Sequence, residues 1–287
     1  MSKTITTIVK VLAWILAGII GLLLLVALLI QTSFVKKKIA GIAETQAASF
    51  VEGKLTLGSI TGNFFTGIQL NEVLWMNGSD TLAYIPEIST TYRLLPLLNS
   101  RLVIRTASIE RPRFFLKQDA DSTWNVQHLI KPQPVDTLAS DTSASKFAID
   151  VSRFSINQAY IGVQSFDTII PEEIINLNLL LSGYYSSDNQ NVELKRFNFV
   201  TRQPDFTLKE LTLDFSRNQA HMQLKDFKLV TARNQVVAHA AYQAEGKRMG
   251  TASIQTEPVN IEEFKFILPD ITLPAHPYID FDAELIR

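Results

Sequence analysis

Apolar and polar residues follow three patterns in turn along this chain. From Val11 to Ile30 about 20 residues pass without a charge, rich in Leu, Ile, Val and Ala. A helix of that length spans roughly 30 Å, the hydrocarbon thickness of a bilayer. The run therefore predicts a transmembrane anchor, carried by Val11, Trp14, Leu22, Leu25, Leu29 and Ile30, with Trp14 at headgroup level. It exceeds the 7–15 apolar residues usual in a cleaved signal peptide, and Lys36, Lys37 and Lys38 after it do not read as a cleavage region. Lysines flank the run on both sides, so charge alone does not orient it.

Residues 33–53 take up helical spacing, with Phe34, Val35, Ile39, Ile42, Ala43 and Phe50 near one period. Ser33 is the expected N-cap and Gly53 the stop. After Gly53 the spacing becomes two. KLTLGSI, GIQLNEVLWM, LAYIPEISTTY, RLVIRTASIE, RFFLKQ, KFAIDVSRFSI, AYIGVQSF, IINLNLLLSG, VELKRFNFV, FTLKELTLDF, HMQLKDFKLV, QVVAHAAYQAEG and GTASIQTE follow one another, separated by turn residues. Strands every 8–12 residues predict a mainly β fold. Two short helical breaks are expected, at RLLPLLN and at NIEEFKFIL, where Asn260 could cap. Residues 131–146, KPQPVDTLASDTSASK, read as a linker or a long loop. The organisation is thus a tail and anchor at 1–32, a helix at 33–53, a β section at 54–130, the linker, and a continuing β section at 147–287. The last run, YIDFDAELIR, has no capping tail. It is expected to pair with a further segment, as in the front portion of a longer sheet.

Composition narrows the chemistry. The 27 basic and 28 acidic residues leave a net charge of −1, which gives no reason to expect nucleic acid. There is no cysteine, which excludes disulfides, thiolate catalysis and thiolate metal sites. His128, His221, His239 and His276 have no second ligand at metal spacing, so no metal and no cofactor is expected. Glu172–Glu173 and Glu262–Glu263 are adjacent pairs, read as solvated or as a helix start. Arg111-Pro112-Arg113 is read as a strand edge, where charge and proline discourage pairing. No catalytic residue is expected. The informative residues are the apolar ones on the strands: Phe114, Leu116, Phe147, Ile149, Phe154, Phe197, Phe199, Leu213, Phe215, Leu224, Phe227 and Leu229, with Val151, Ile156, Leu211 and Met222 beside them. On an open sheet they line a groove for lipid or a partner. In a closed sandwich they touch only one another.

Between about residues 8 and 130 the order and spacing of these features resemble the AsmA-like superfamily, its TamB (translocation and assembly module) branch in particular. The anchor leads to a helix ending at Phe50-Val51-Glu52-Gly53. Then come Leu55 to Trp75 with Gly58, Gly62 and Gly67, the strand YIPEISTTY, and RLLPLLN. A block follows that carries Ile104, Ile109, Pro112, Phe114, Asp121, Trp124, Asn125 and Leu129. Members of that branch are usually far longer, with a further C-terminal domain. The resemblance implies a single-pass protein of the bacterial inner membrane with its bulk in the periplasm. It also implies an elongated, taco-like antiparallel sheet with an apolar groove. The function implied is outer-membrane biogenesis, either carriage of phospholipid acyl chains or assembly of outer-membrane proteins with a partner barrel. It favours the groove over the closed core.

Overall fold

The computed structural model describes residues 32–127, 129, 147–244, 249–257, 259–266 and 280–286. The expected anchor, the linker 131–146, His128 and His276 lie outside them. Among the described residues no helix is long and apolar enough to cross a membrane.

The protein is mainly β, built as one long sheet with few helices. Helix α1 spans Ser33–Phe50, ended by Gly53 at φ +88°. Strands β1 to β5 follow at Lys54–Asn63, Gly67–Asn77, Asp80–Arg93, Arg101–Glu110 and Arg113–Lys117. Strands β6 to β9 span Ala148–Gln164, Glu173–Tyr185, Asn189–Arg202 and Phe206–Asn218. Strands β10 to β13 span His221–Thr231, Gln235–Gln243, Met249–Thr256 and Asp280–Ile286. The expected helical breaks are 3₁₀ turns at Leu95–Asn99 and Ile261–Phe264, and the Asn260 side chain makes no capping bond.

The strands lie in nearly sequential order, β1-β2-β3-β4-β6-β7-β8-β9-β10-β11-β12-β13, with β5 between β3 and β6. At about 4.8 Å per spacing this is roughly 50 Å of sheet across the strands, before twist. Pairing is antiparallel except at β6, which runs parallel to β4 and β5. The β sections on either side of residues 131–146 therefore belong to one sheet. The main backbone neighbours of each strand are its bonding partners, with α1 against β1. Buried apolar residues are few and scattered, among them Ile60, Val73, Ala159, Val163 and Leu208.

Two expectations are corrected at one place. Arg111-Pro112-Arg113 is not an edge, because β5 pairs on both sides, with β3 and β6. Arg111 takes φ +47° and donates its N–H to the Asn157 carbonyl (2.8 Å), and the Pro112 carbonyl accepts from Tyr160 N–H (2.9 Å). Opposite it, KFAIDVSRFSI and AYIGVQSF are one strand, β6, since Gln158 at φ +53° forms a bulge instead of a turn. Asn176 on β7 sits at φ +54° beside a similar shift, and Glu72 on β2 takes the same φ inside a ladder whose register does not shift. The neighbouring bulges on β6 and β7 bend the two strands that carry them.

The turn between β1 and β2 requires glycine. Gly62 has φ +87°, and a Cβ there would lie 2.6 Å from the Gly67 carbonyl oxygen. Gly62→Ala is expected to destabilise the fold by about 2 kcal/mol, read from chemical denaturation. Gly78→Ala, at φ +61° but facing open space, is expected to cost about half as much.

Candidate functional site

Side chains alternate across a pleated sheet, and directly opposed residues share a face. Register therefore decides which residues lie together. Ile60, Leu70, Ile88, Ile109, Ile156, Leu179 and Phe197 oppose one another in turn from β1 to β8. A second row runs from Ile104 through Val151, Gly183, Val192, Phe215, Leu224, Ala240 and Ala252 to Ala283 on β13. Every member of both rows is apolar. Along the other face the row next to it reads Asp150, Tyr184, Asn191, Ser216, Gln223, Ala241, Thr251. The strand ion pairs Arg101–Asp150, Arg202–Glu173, Glu193–Lys195 and Lys228–Glu210 lie on this polar face. The sheet is thus one layer with an apolar side and a polar side.

Bulges keep it so. On β6 the apolar face takes Val151, then Phe154, then Ile156, then Ala159; on β10 it takes Leu224 and then Phe227. Each step of three spans two polar residues, Ser152-Arg153, Asn157-Gln158 and Lys225-Asp226. Without the extra residue, every later side chain of the strand would swap faces.

Eleven of the twelve expected groove residues have strand positions on the apolar face and are spread along it. Phe114 and Leu116 oppose Ile161 and Val163. Ile149 lies beside Leu102, and Phe154 between Ala107 and Leu181. Leu213 opposes Leu194, Phe199 opposes Leu208, and Phe227 and Leu229 oppose Ala238 and Val236. Phe147 precedes β6 and is exposed. Phe197, Phe199 and Phe206 form an aromatic series, with centroids 5.5 and 6.2 Å apart. Phe264 and Phe266, from the segment after β12, stack on Phe206 at 6.2 and 5.9 Å. That segment therefore lies on the apolar side.

Sequence reasoning passed over the small residues that shape this face. Ala240, Gly250, Ala252 and Ala283 leave an open concavity of about 470 Å³ against Phe215, Met222 and Leu224. It also missed Glu263, read as solvated or as a helix start. Its carboxylate accepts from the Thr231 hydroxyl, from the Ala232 N–H (2.9 Å) and Arg233 N–H (3.2 Å), and from the Asn234 side-chain amide. It fastens the turn between β10 and β11 to the segment carrying Phe264.

A second concavity, about 830 Å³, opens on the polar face at Tyr84, Arg113, Phe115 and Tyr160. The Tyr160 hydroxyl donates to Glu173 (3.0 Å), whose other oxygen accepts from Arg202 (3.1 Å). Burial, and then Glu173, raise the Tyr160 phenol above its ordinary range. These groups satisfy one another, as a structural ion-pair network does. His221 and His239 are exposed, and among the described residues no group of His, Asp or Glu could hold a metal ion.

The fold and site define a class: a mainly β protein whose described residues form one long, single-layer sheet with an apolar face. No family model, curated protein or solved structure matches the chain.

Proposed function

We propose that this protein, anchored by residues 11–30 in a bacterial inner membrane with its bulk in the periplasm, carries phospholipid acyl chains along the apolar face of its sheet. In this reading it is a member of the TamB branch, and its sheet curls into a taco-like trough. The observation that carries the reading is the two overlapping apolar rows, one from β1 to β8 and one from β4 to β13, left mostly half-exposed by the single layer. Each CH₂ group moved from water onto that face contributes about 0.8 kcal/mol, while the headgroup stays in water at the open side. The bulges support the trough, since they curve the strands and keep the face apolar at once. The protein performs no catalysis in this account and takes no cofactor.

Photo-crosslinkers at Phe199, Phe215 or Leu229 in the full chain are expected to capture phospholipid, detected by mass spectrometry. Adducts to protein alone would overturn the reading.

A second reading has one observation of its own. Among the described residues β13 is hydrogen-bonded on one side only, by β12. Such an edge can take a strand from a partner. As an assembly factor the protein would engage an outer-membrane barrel there, and co-purification of that barrel with the full-length protein tests it.

A further inference from the structure

The largest exposed apolar side chains near the front of the sheet gather at one corner. Helix α1 runs antiparallel to β1, with Lys36 Nζ on the Gly62 carbonyl (2.7 Å) and Glu44 accepting the Leu57 N–H (2.7 Å). Its start therefore lies at the β1–β2 turn. Tyr92, at the end of β3, donates its hydroxyl to the Phe64 carbonyl (2.7 Å) and its N–H to the Thr66 carbonyl (3.0 Å). That brings the 3₁₀ turn after β3 beside the same β1–β2 turn. Phe34 on α1 is 69% exposed, Phe65 on the turn 43%, and Leu95 and Leu98 on the 3₁₀ turn 79% and 84%. Leucines that exposed in a five-residue turn add nothing to its packing, and single-layer architecture does not require them.

Charge singles out the partner. Lys37, Lys38 and Arg93 are exposed at this corner, and Lys38 lies 5.6 Å over the Phe34 ring. The opposite end of the strands also exposes a large aromatic, Phe166 at 72%, but beside Asp119, Asp167 and Glu172. Apolar tips ringed by cations match the boundary between acyl chains and anionic headgroups. The apolar run of residues 11–30 joins the chain at this same corner, just before Thr32.

We propose that this corner of the sheet rests on the bilayer, with Phe65, Leu95 and Leu98 inserted at the acyl–headgroup boundary and Lys37, Lys38 and Arg93 against anionic headgroups. The inference rests on the reading that residues 11–30 lie in a membrane. It is independent of what the apolar face carries. The contact sets the start of the sheet against the lipid surface, so that α1 and β1 are held at it and the later strands lead away.

The chain has no cysteine, so single labels report cleanly. Leu98→Cys, Phe65→Cys and, as control, Phe166→Cys are made in the full chain and labelled with an environment-sensitive nitrobenzoxadiazole dye. They are then placed in phosphatidylcholine–phosphatidylglycerol vesicles carrying nitroxide lipid. The dye at Leu98 and Phe65 is expected to shift to the blue and lose about half its emission to the nitroxide, whereas the dye at Phe166 does neither. Vesicle-bound protein with the Leu98 dye unquenched, or with all three quenched alike, overturns the inference and leaves the anchor standing. A Leu98 dye shifted to the blue but unquenched marks a protein partner and likewise overturns it. Protein that fails to float with the vesicles overturns both. Phospholipid capture at Phe199 is scored separately and fails or succeeds on its own.

Discussion

Glu263→Ala is expected to lower the unfolding free energy by about 3 kcal/mol, among the largest effects of any single polar change in this chain. The carboxylate accepts four hydrogen bonds from the β10–β11 turn. Two of the donors, Thr231 and Asn234, are buried. Truncation leaves them without this acceptor, and an unsatisfied buried donor costs about 1–3 kcal/mol. Asn234 keeps a bond to the Asn260 carbonyl (3.1 Å) and Thr231 one to the Asn234 carbonyl (3.4 Å), which limits the loss. Glu263→Gln is expected to fall between wild type and alanine. It keeps one acceptor oxygen but turns an amide N–H toward donors. Chemical denaturation gives the magnitude, and hydrogen exchange gives the place. Amides of the β10–β11 turn should exchange faster, while those of β1–β4 stay unchanged. A loss under 1 kcal/mol would mean that water replaces the carboxylate.

A charge set into the apolar face is the larger functional lesion. Leu224→Asp places a carboxylate in the concavity formed with Phe215, Ala240 and Ala252. An acyl chain there would have to strip water from it, at a cost of several kcal/mol. Lipid capture by a crosslinker at Phe215 is therefore expected to fall at least about tenfold. Gln223→Asp supplies the control. It is adjacent in sequence but belongs to the polar row between Ser216 and Ala241, and capture there is expected to stay within about twofold. Equal losses in the two variants would show that folding, and not the face, was disturbed, and the groove reading would lose its support.

Much of the fold was legible before any coordinates. Runs of period two, separated by turn residues, gave the strands close to their observed limits, and helical spacing gave α1. The failures share one physical cause. Asn157-Gln158 carries turn chemistry, so β6 was split there, and Arg111-Pro112 carries edge chemistry, so an edge was expected. The first is a bulge within β6, and the second a break between β4 and β5 that stays inside the sheet. A polar pair between apolar residues has the same local preference whether the chain turns, ends a strand or bulges. The neighbour across the ladder decides, and that neighbour is dozens of residues away. Glu263 was missed for a similar reason. Its partners, residues 231–234, are about 30 positions earlier, and nothing near it in sequence announces them.

The twelve expected groove residues were named by alternation alone. The sequence itself determined that each strand has one apolar and one polar side, because spacing of two is a local property of the backbone. It also determined that cysteine chemistry is excluded. What only the tertiary structure decided is that the apolar sides of thirteen strands point the same way and that, among the described residues, no second layer of strands lies against them. Register and bulge placement set the first, since one slipped residue would turn a strand over. The second depends on where the chain sends its next element, and here each new strand joins the growing edge of the same sheet. Periodicity reads the same for a closed sandwich and an open face, so composition along the strands could not choose between them.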